Sequence, residues 1–264
     1  MPTFKYINKL QGKRVLIFGG TSGIGHAVAE ALLEHGAKIV ISGSTTESLQ
    51  RAVDRLQKAY PDVNPERIVT SVCDLVQTDT LEGRLRELLK EVVSKDEQKI
   101  DHIVFTAGNR FDVAGGITGT DIPLVNSIMA VRVYAPILIA KVIATTDYVT
   151  KSASTSFTFT SGTAHTRPIK TWPVIAMMSG ALQGLATGLA VELAPIRVNV
   201  VNPGLFKTEL ASKWVPEALE AASNMTLTKR LGQPEDIAEA YLYFMKDASV
   251  DGTALVSDNG KVVA

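Results

Sequence analysis

Two hydrophobic rhythms alternate along the chain. Short runs rich in apolar and β-branched residues recur at Arg14–Phe18, Lys38–Ser42, Arg67–Cys73, His102–Thr106, Ser156–Thr160, Arg197–Val201 and Thr253–Val256. Between them lie longer stretches with helical spacing of apolar positions: Ile24–His35, Thr46–Ala59, Thr78–Ser94, Leu124–Thr145, Val174–Leu193 and Pro234–Phe244. Apolar runs of strand length, separated by amphipathic helices, predict parallel strands covered on both faces. Right-handed crossovers then give an α/β fold, a Rossmann-type doubly wound sheet of seven parallel strands. No Pro- or Ser-rich linker divides the sequence, so residues 1–264 read as one domain. The stretch Gly204 to Thr228 has few β-branched residues and several small polar ones, and it follows a strand end. It predicts a helical lid or substrate loop near 204–228.

Composition narrows the classes of partner. The chain is 45% hydrophobic and 20% charged, an ordinary composition for a soluble globular protein. Lys plus Arg and Asp plus Glu both number 27, giving no net charge. That argues against nucleic acid or an anionic membrane as a partner. The single cysteine, Cys73, has no internal partner for a disulfide, which fits a reducing compartment. The N-terminal MPTFKYINKLQGKRVLIFGG shows no signal-peptide pattern. The apolar stretch Val131 to Thr145 is interrupted by Arg132 and Lys141, and reads as too short and too charged for a bilayer span. A soluble cytoplasmic protein acting on a small molecule is expected, with no metal site.

The first strand runs straight into Phe18-Gly19-Gly20-Thr21-Ser22-Gly23-Ile24-Gly25. Glycines here permit a tight turn, close backbone approach to a pyrophosphate, and close packing of helix on strand. The N–H groups and dipole of the following helix then face the phosphates. Gly19, Thr21, Ser22, Gly23 and Ile24 are therefore candidate cofactor residues. At the end of the second strand an acid would accept from the ribose hydroxyl of NAD and repel the extra phosphate of NADP. The sequence there is Ile41-Ser42-Gly43-Ser44-Thr45-Thr46, with no acid before Glu47 and no arginine. Ser42, Ser44 and Thr45 favour NADP(H); Ser44 or Thr45 can also cap the next helix, and the two roles are compatible.

The Gly-x-x-x-Gly-Ile-Gly turn in this setting resembles that of the short-chain dehydrogenase/reductase family. Further segments match in the family's order. Cys73-Asp74-Leu75 is similar to the adenine-contacting segment, and Thr106-Ala107-Gly108 to the Asn-Ala-Gly segment after the fourth strand. Thr160-Ser161-Gly162 fits the strand carrying the active-site serine. Asn202-Pro203-Gly204-Leu205, with Thr208, fits the segment that meets the nicotinamide carboxamide. The resemblance thus implies cofactor roles for Asp74, Leu75, Ala107, Gly108, Pro203, Gly204, Leu205 and Thr208. It also implies a homo-oligomer, a tetramer or a dimer, with two long apolar helices able to pair with copies.

The family's usual catalytic set is Asn, Ser, Tyr and Lys, the lysine lowering the phenol's pKa. Here the Tyr and Lys slots hold Ile175 and Ser179, and the Asn slot aligns with Arg132. Ser161 remains, unless it merely ends a strand. Arg132 is a permanent cation with five donors, suited to a carbonyl or anion, or else a structural ion-pair residue. His165 lies between the serine strand and the next helix, as a proton donor or an exposed loop histidine. Trp172 opens that helix, to stack on a flat or cationic substrate or to cover the core.

GGTSGIG, VFTAG, Arg132 before Ala-Pro, the opening Trp172 and the missing Tyr and Lys together resemble a divergent branch of the family. That branch comprises the fungal reductase/Diels–Alderases of bridged indole alkaloid biosynthesis, which use NADPH to reduce an iminium or related intermediate. Those carry an acid in a Pro-Asp-Pro-Gly-Trp segment; here it reads Pro168-Ile169-Lys170-Thr171-Trp172. The resemblance implies an NADP(H)-dependent reductase of a natural-product intermediate, with a possible cyclase role. A redox-neutral cyclase or isomerase, and a non-catalytic cofactor-binding subunit, are the alternatives.

Overall fold

The computed structural model describes residues 4–109, 115–209 and 215–264. Among the described residues there are seven strands: β1 (Arg14–Phe18), β2 (Lys38–Gly43), β3 (Ile68–Val72), β4 (His102–Phe105), β5 (Ser156–Thr160), β6 (Arg197–Pro203) and β7 (Ala254–Ser257). They form one parallel sheet in the order β3-β2-β1-β4-β5-β6-β7. The order reverses between β1 and β4, which opens a crevice at the carboxyl ends of these strands. The Rossmann-type doubly wound fold expected from the alternation is the fold observed.

Period-two alternation builds the two cores. In β1, Leu16 and Phe18 pack into one, with α3 (Thr78–Ser94), α5 (Ala135–Thr145) and α6 (Pro173–Glu192). Val15 and Ile17 pack into the other, with α1 (Gly23–Glu34), α2 (Thr46–Ala59) and α8 (Pro234–Lys246). All five residues of β1 are buried, as a parallel strand covered on both faces requires.

The structure corrects several boundaries. Arg67 lies in a short 3-10 turn rather than in β3, its guanidinium donating to the carbonyls of Leu33 and Ala37. The expected helix Leu124–Thr145 is two helices, α4 (Ile122–Met129) and α5, joined by one wide π turn at Ala130–Tyr134. Pro136 explains the break, because it has no N–H to return to the carbonyl of Arg132. The run from Ile122 to Thr145 spans 24 residues, more than the Val131–Thr145 stretch read from sequence. It and α6 are each long and apolar enough to cross a membrane. Both instead flank the sheet, supplying core residues such as Ile139 and Leu182. Part of the expected lid is α7 (Pro216–Asn224); residues 210–214 of that stretch lie outside the described residues.

Two histidines are buried within this framework. His26 in α1 is pushed down to about 4, chiefly by burial, helped by Arg55 and opposed by Glu209. His102 in β4, with Nδ1 2.9 Å from the Ser156 hydroxyl, is pushed down to about 3, again chiefly by burial. Both are therefore neutral in the fold where the unfolded chain, near 6.5, takes up protons. The unfolded state binds more protons below that value, so stability is expected to fall as pH drops from about 6.5 towards 4. Urea unfolding between pH 7.5 and 4.5 checks this. A His102→Gln variant, if it folds, should show a shallower decline than the parent; a flat profile for the parent would contradict the burial argument.

Candidate functional site

The β1–α1 turn is shaped by contacts that only glycine admits. Gly19 has φ +83°, and a Cβ there would lie 2.6 Å from the Cα of Ala107. A Cβ on Gly25 would lie 2.3 Å from the carbonyl oxygen of Gly19 and 2.4 Å from the Thr106 hydroxyl. Gly23 has φ +53° and packs against the Thr208 side chain. Ser22, in extended backbone, precedes the first turn of α1 and is exposed, while Ile24 is half-buried against the second core. Candidates from three distant segments, 19–25, 106–108 and 208, thus meet at the strand-order switch. Pro203, Gly204 and Leu205 leave the end of β6 half-buried; a Cβ on Gly204 would lie 2.7 Å from the Cα of Asp258.

The end of β2 is held beside this turn. A Cβ on Gly43 would meet the Thr21 methyl at 2.6 Å. Ser44 and Thr45 are exposed just beyond it, and the Thr45 hydroxyl accepts the N–H of Ser48 at 3.2 Å, capping α2. Ser42 differs from its neighbours: it is buried inside β2, and its backbone carbonyl accepts the N–H of Gly19. Asp74 accepts from the N–H of Val76, and Leu75 is buried in the first core.

On α6 the slots normally filled by Tyr and Lys are closed internally. Ile175 is buried, and the Ser179 hydroxyl donates to its carbonyl at 2.9 Å. The Ser161 hydroxyl donates to the carbonyl of Ser179 at 3.1 Å, and both serines are buried. Neither hydroxyl donates its proton outward, and neither bears a charge.

The remaining candidates sit around these slots. Arg132, on the wide turn before α5, donates to the carbonyl of Asn109 at 3.1 Å and lies against Gly108, where a Cβ would be 2.3 Å from its Nη2. Burial pushes its guanidinium down to about 10, which leaves it cationic at neutral pH. His165 uses both ring nitrogens: Nδ1 is 3.1 Å from the carbonyl of Gly162, and Nε2 is 2.9 Å from the Thr166 hydroxyl and 3.1 Å from the Gln183 amide. That arrangement ties the 163–166 turn to α6. Trp172 immediately precedes α6, half-buried against the first core. Thr171 beside it has φ +73° and packs against Gly116. Sequence reasoning missed two residues here, Arg55 and Glu209, which form an ion pair at the start of α1. Glu209 adjoins Thr208 in sequence, but nothing in the sequence points to a partner 154 residues away.

The profile of the SDR-like Rossmann domain matches residues 6–264. The chain is 40% identical to the short-chain dehydrogenase/reductase malC of Malbranchea aurantiaca, over 99% of each chain. It is 38% identical to ucsE of an Acremonium species, covering 97% of this chain and 98% of that one. The solved structure of MalC reductase/Diels–Alderase superposes with a TM-score of 0.89 at 38% identity, covering 98% of this chain and 100% of that one. A short-chain dehydrogenase from Burkholderia cenocepacia, solved in complex with NADP, superposes with a TM-score of 0.81 at 26% identity over 97% of this chain and 100% of that one.

The glycine contacts set a sharp contrast. Gly25→Ala is expected to destabilise the fold by about 2 kcal/mol or more, because backbone must move. Gly83→Ala, in α3 at a position with nothing within 4 Å, should be neutral or stabilising. Chemical denaturation of the two variants checks this; equal stabilities would rule out the close approach at Gly25.

Proposed function

The chain belongs to the short-chain dehydrogenase/reductase family of oxidoreductases, and on that premise we propose that it is an NADP(H)-dependent reductase of a natural-product intermediate bearing a cationic C=N bond. The observation that carries this reading is the closed pair of slots on α6. Ordinary reduction of a ketone needs a proton at oxygen as hydride arrives at carbon. Ile175 has none to give, and the Ser161 and Ser179 hydroxyls donate to backbone carbonyls. An iminium needs no such proton: hydride adds to carbon, the π electrons go to nitrogen, and its positive charge is cancelled. NADPH, when bound, supplies that hydride.

The cradle fits a dinucleotide. The tight turn and close helix packing that glycine at 19 and 25 permits, and the start of α1, suit a pyrophosphate. The exposed Ser44 and Thr45, with no acid at the end of β2, suit the additional phosphate of NADP(H). The NADP-bound Burkholderia relative supports the same choice. In this reading Arg132 donates to a carbonyl of the substrate, and Trp172 offers a flat face to a cationic or indole-like group. Ser161 and His165 act as positioning groups, and residues 204–209 and 215–228 form the lid of the domain. The relative named as a reductase/Diels–Alderase favours one second reading, ring closure after or instead of reduction, which needs shape rather than a proton.

We place the protein in the cytoplasm as a homo-oligomer. Around Gly184 and Gly188 on α6 there is open space, with Met177 and Val191 exposed on the same helix. An apolar helix with small residues at intervals of four admits a close partner, and a second copy of the chain is the partner proposed. Light scattering at micromolar concentration should give a dimer or tetramer, and Gly184→Arg should shift it towards monomer; a monomeric parent would refute this.

Turnover of an iminium substrate should consume NADPH stoichiometrically, with simple ketones and alcohols turned over weakly or not at all. Ser44→Asp should weaken NADPH and spare NADH. Arg132→Ala and Trp172→Ala should lower kcat/KM about tenfold or more, the scale of a charge-assisted contact, whereas Ser161→Ala should cost less. If Ser161→Ala alone abolished activity, a serine-centred proton path would have to replace this account. Product formed at full rate without NADPH would favour the redox-neutral cyclase.

A further inference from the structure

Arg55 and Glu209 meet at the start of α1, where the dinucleotide reading puts the phosphates. One carboxylate oxygen of Glu209 accepts the N–H of Gly23, the first residue of α1, at 2.8 Å. The other accepts from Nη1 of Arg55, reaching across from α2, at 3.0 Å. A polar cleft of about 260 Å³ opens beside them, its wall including Lys207 and Thr208 and also the carboxylates of Glu30 and Glu235. Both groups that the carboxylate engages, a helix-start N–H and a guanidinium, are phosphate-binding groups. Glu209 presents a carboxylate where phosphate oxygens would find the same two donors. The two side chains are 51% and 54% exposed, so the pair contributes little to stability.

We propose that Glu209 is an internal competitor for the pyrophosphate of the cofactor. Its carboxylate holds the start of α1 and the Arg55 guanidinium together until the pyrophosphate displaces it, and Arg55 then passes from carboxylate to phosphate. Two anions cannot share one helix start without strong repulsion, so the carboxylate must leave or weaken the cofactor's hold. Arg55 also supplies a cation that the Ser42–Thr46 segment lacks. This inference rests on the dinucleotide reading above, but not on the choice between NADP(H) and NAD(H), since both carry the pyrophosphate.

The test is calorimetric titration of NADPH and NADH into the parent, Glu209→Gln, and Glu209→Gln with Arg55→Gln. Glu209→Gln is expected to tighten both cofactors about fivefold, the size of one charge interaction at a helix end. Adding Arg55→Gln should then weaken both about fivefold, because it removes a guanidinium–phosphate contact. If Glu209→Gln weakens binding, the carboxylate positions the cofactor and the proposal fails; no change in either step overturns it as well. Failure of both cofactors to bind any form would overturn it together with the dinucleotide reading. A preference for NADH with the two expected shifts would support the competitor while overturning only the NADP(H) assignment.

Discussion

At Gly25 the backbone of α1 comes so close to the turn before it that the carbonyl of Gly19 and the hydroxyl of Thr106 occupy the place of a side chain. The Thr106 hydroxyl donates to the carbonyls of Phe18 and Gly19, at 3.0 and 3.2 Å, and so locks the end of β4 onto the end of β1. Those are the two strands between which the sheet reverses its order. The same close approach therefore seats α1, joins the halves of the sheet and shapes the crevice. Elements far apart in sequence, including Thr208 after β6, take their places relative to it.

Next to this constrained turn the chain has removed the family's proton-handling pair without leaving polar groups stranded. An isoleucine fills one slot with apolar bulk. The serine in the other satisfies its hydroxyl on the carbonyl one helical turn earlier, a habit of serines inside helices. Ser161 finds its acceptor on the same helix. The result is a patch that is chemically quiet, with Arg132 the nearby group whose charge persists at neutral pH. Such a patch can shape and orient a substrate that brings its own positive charge.

Much of this was legible in the sequence because it rests on local pattern. The strands and helices follow from periodicity, and α2 and α3 begin and end where apolar spacing places them. The glycine turn announces itself by composition and position, and Thr45 caps α2 as its residue type suggests. What could not be read depends on tertiary geometry. The burial of Ser42 beside exposed Ser44 is a matter of strand alternation and sheet depth. The pairing of Arg55 with Glu209 joins segments that meet only when α2 and the chain after β6 are both docked. Pro136 was visible, but its effect falls four residues earlier, on the carbonyl of Arg132.

That wide turn makes position along the helix matter as much as side-chain identity. Each α-helical residue advances the face by about 100°, so one residue gained or lost between α4 and α5 changes which side chain points at the crevice. Arg132 is aimed by the length of the turn that carries it. Transplanting this residue onto another member of the family would therefore mean transplanting the spacing from Ala130 to Pro136 with it.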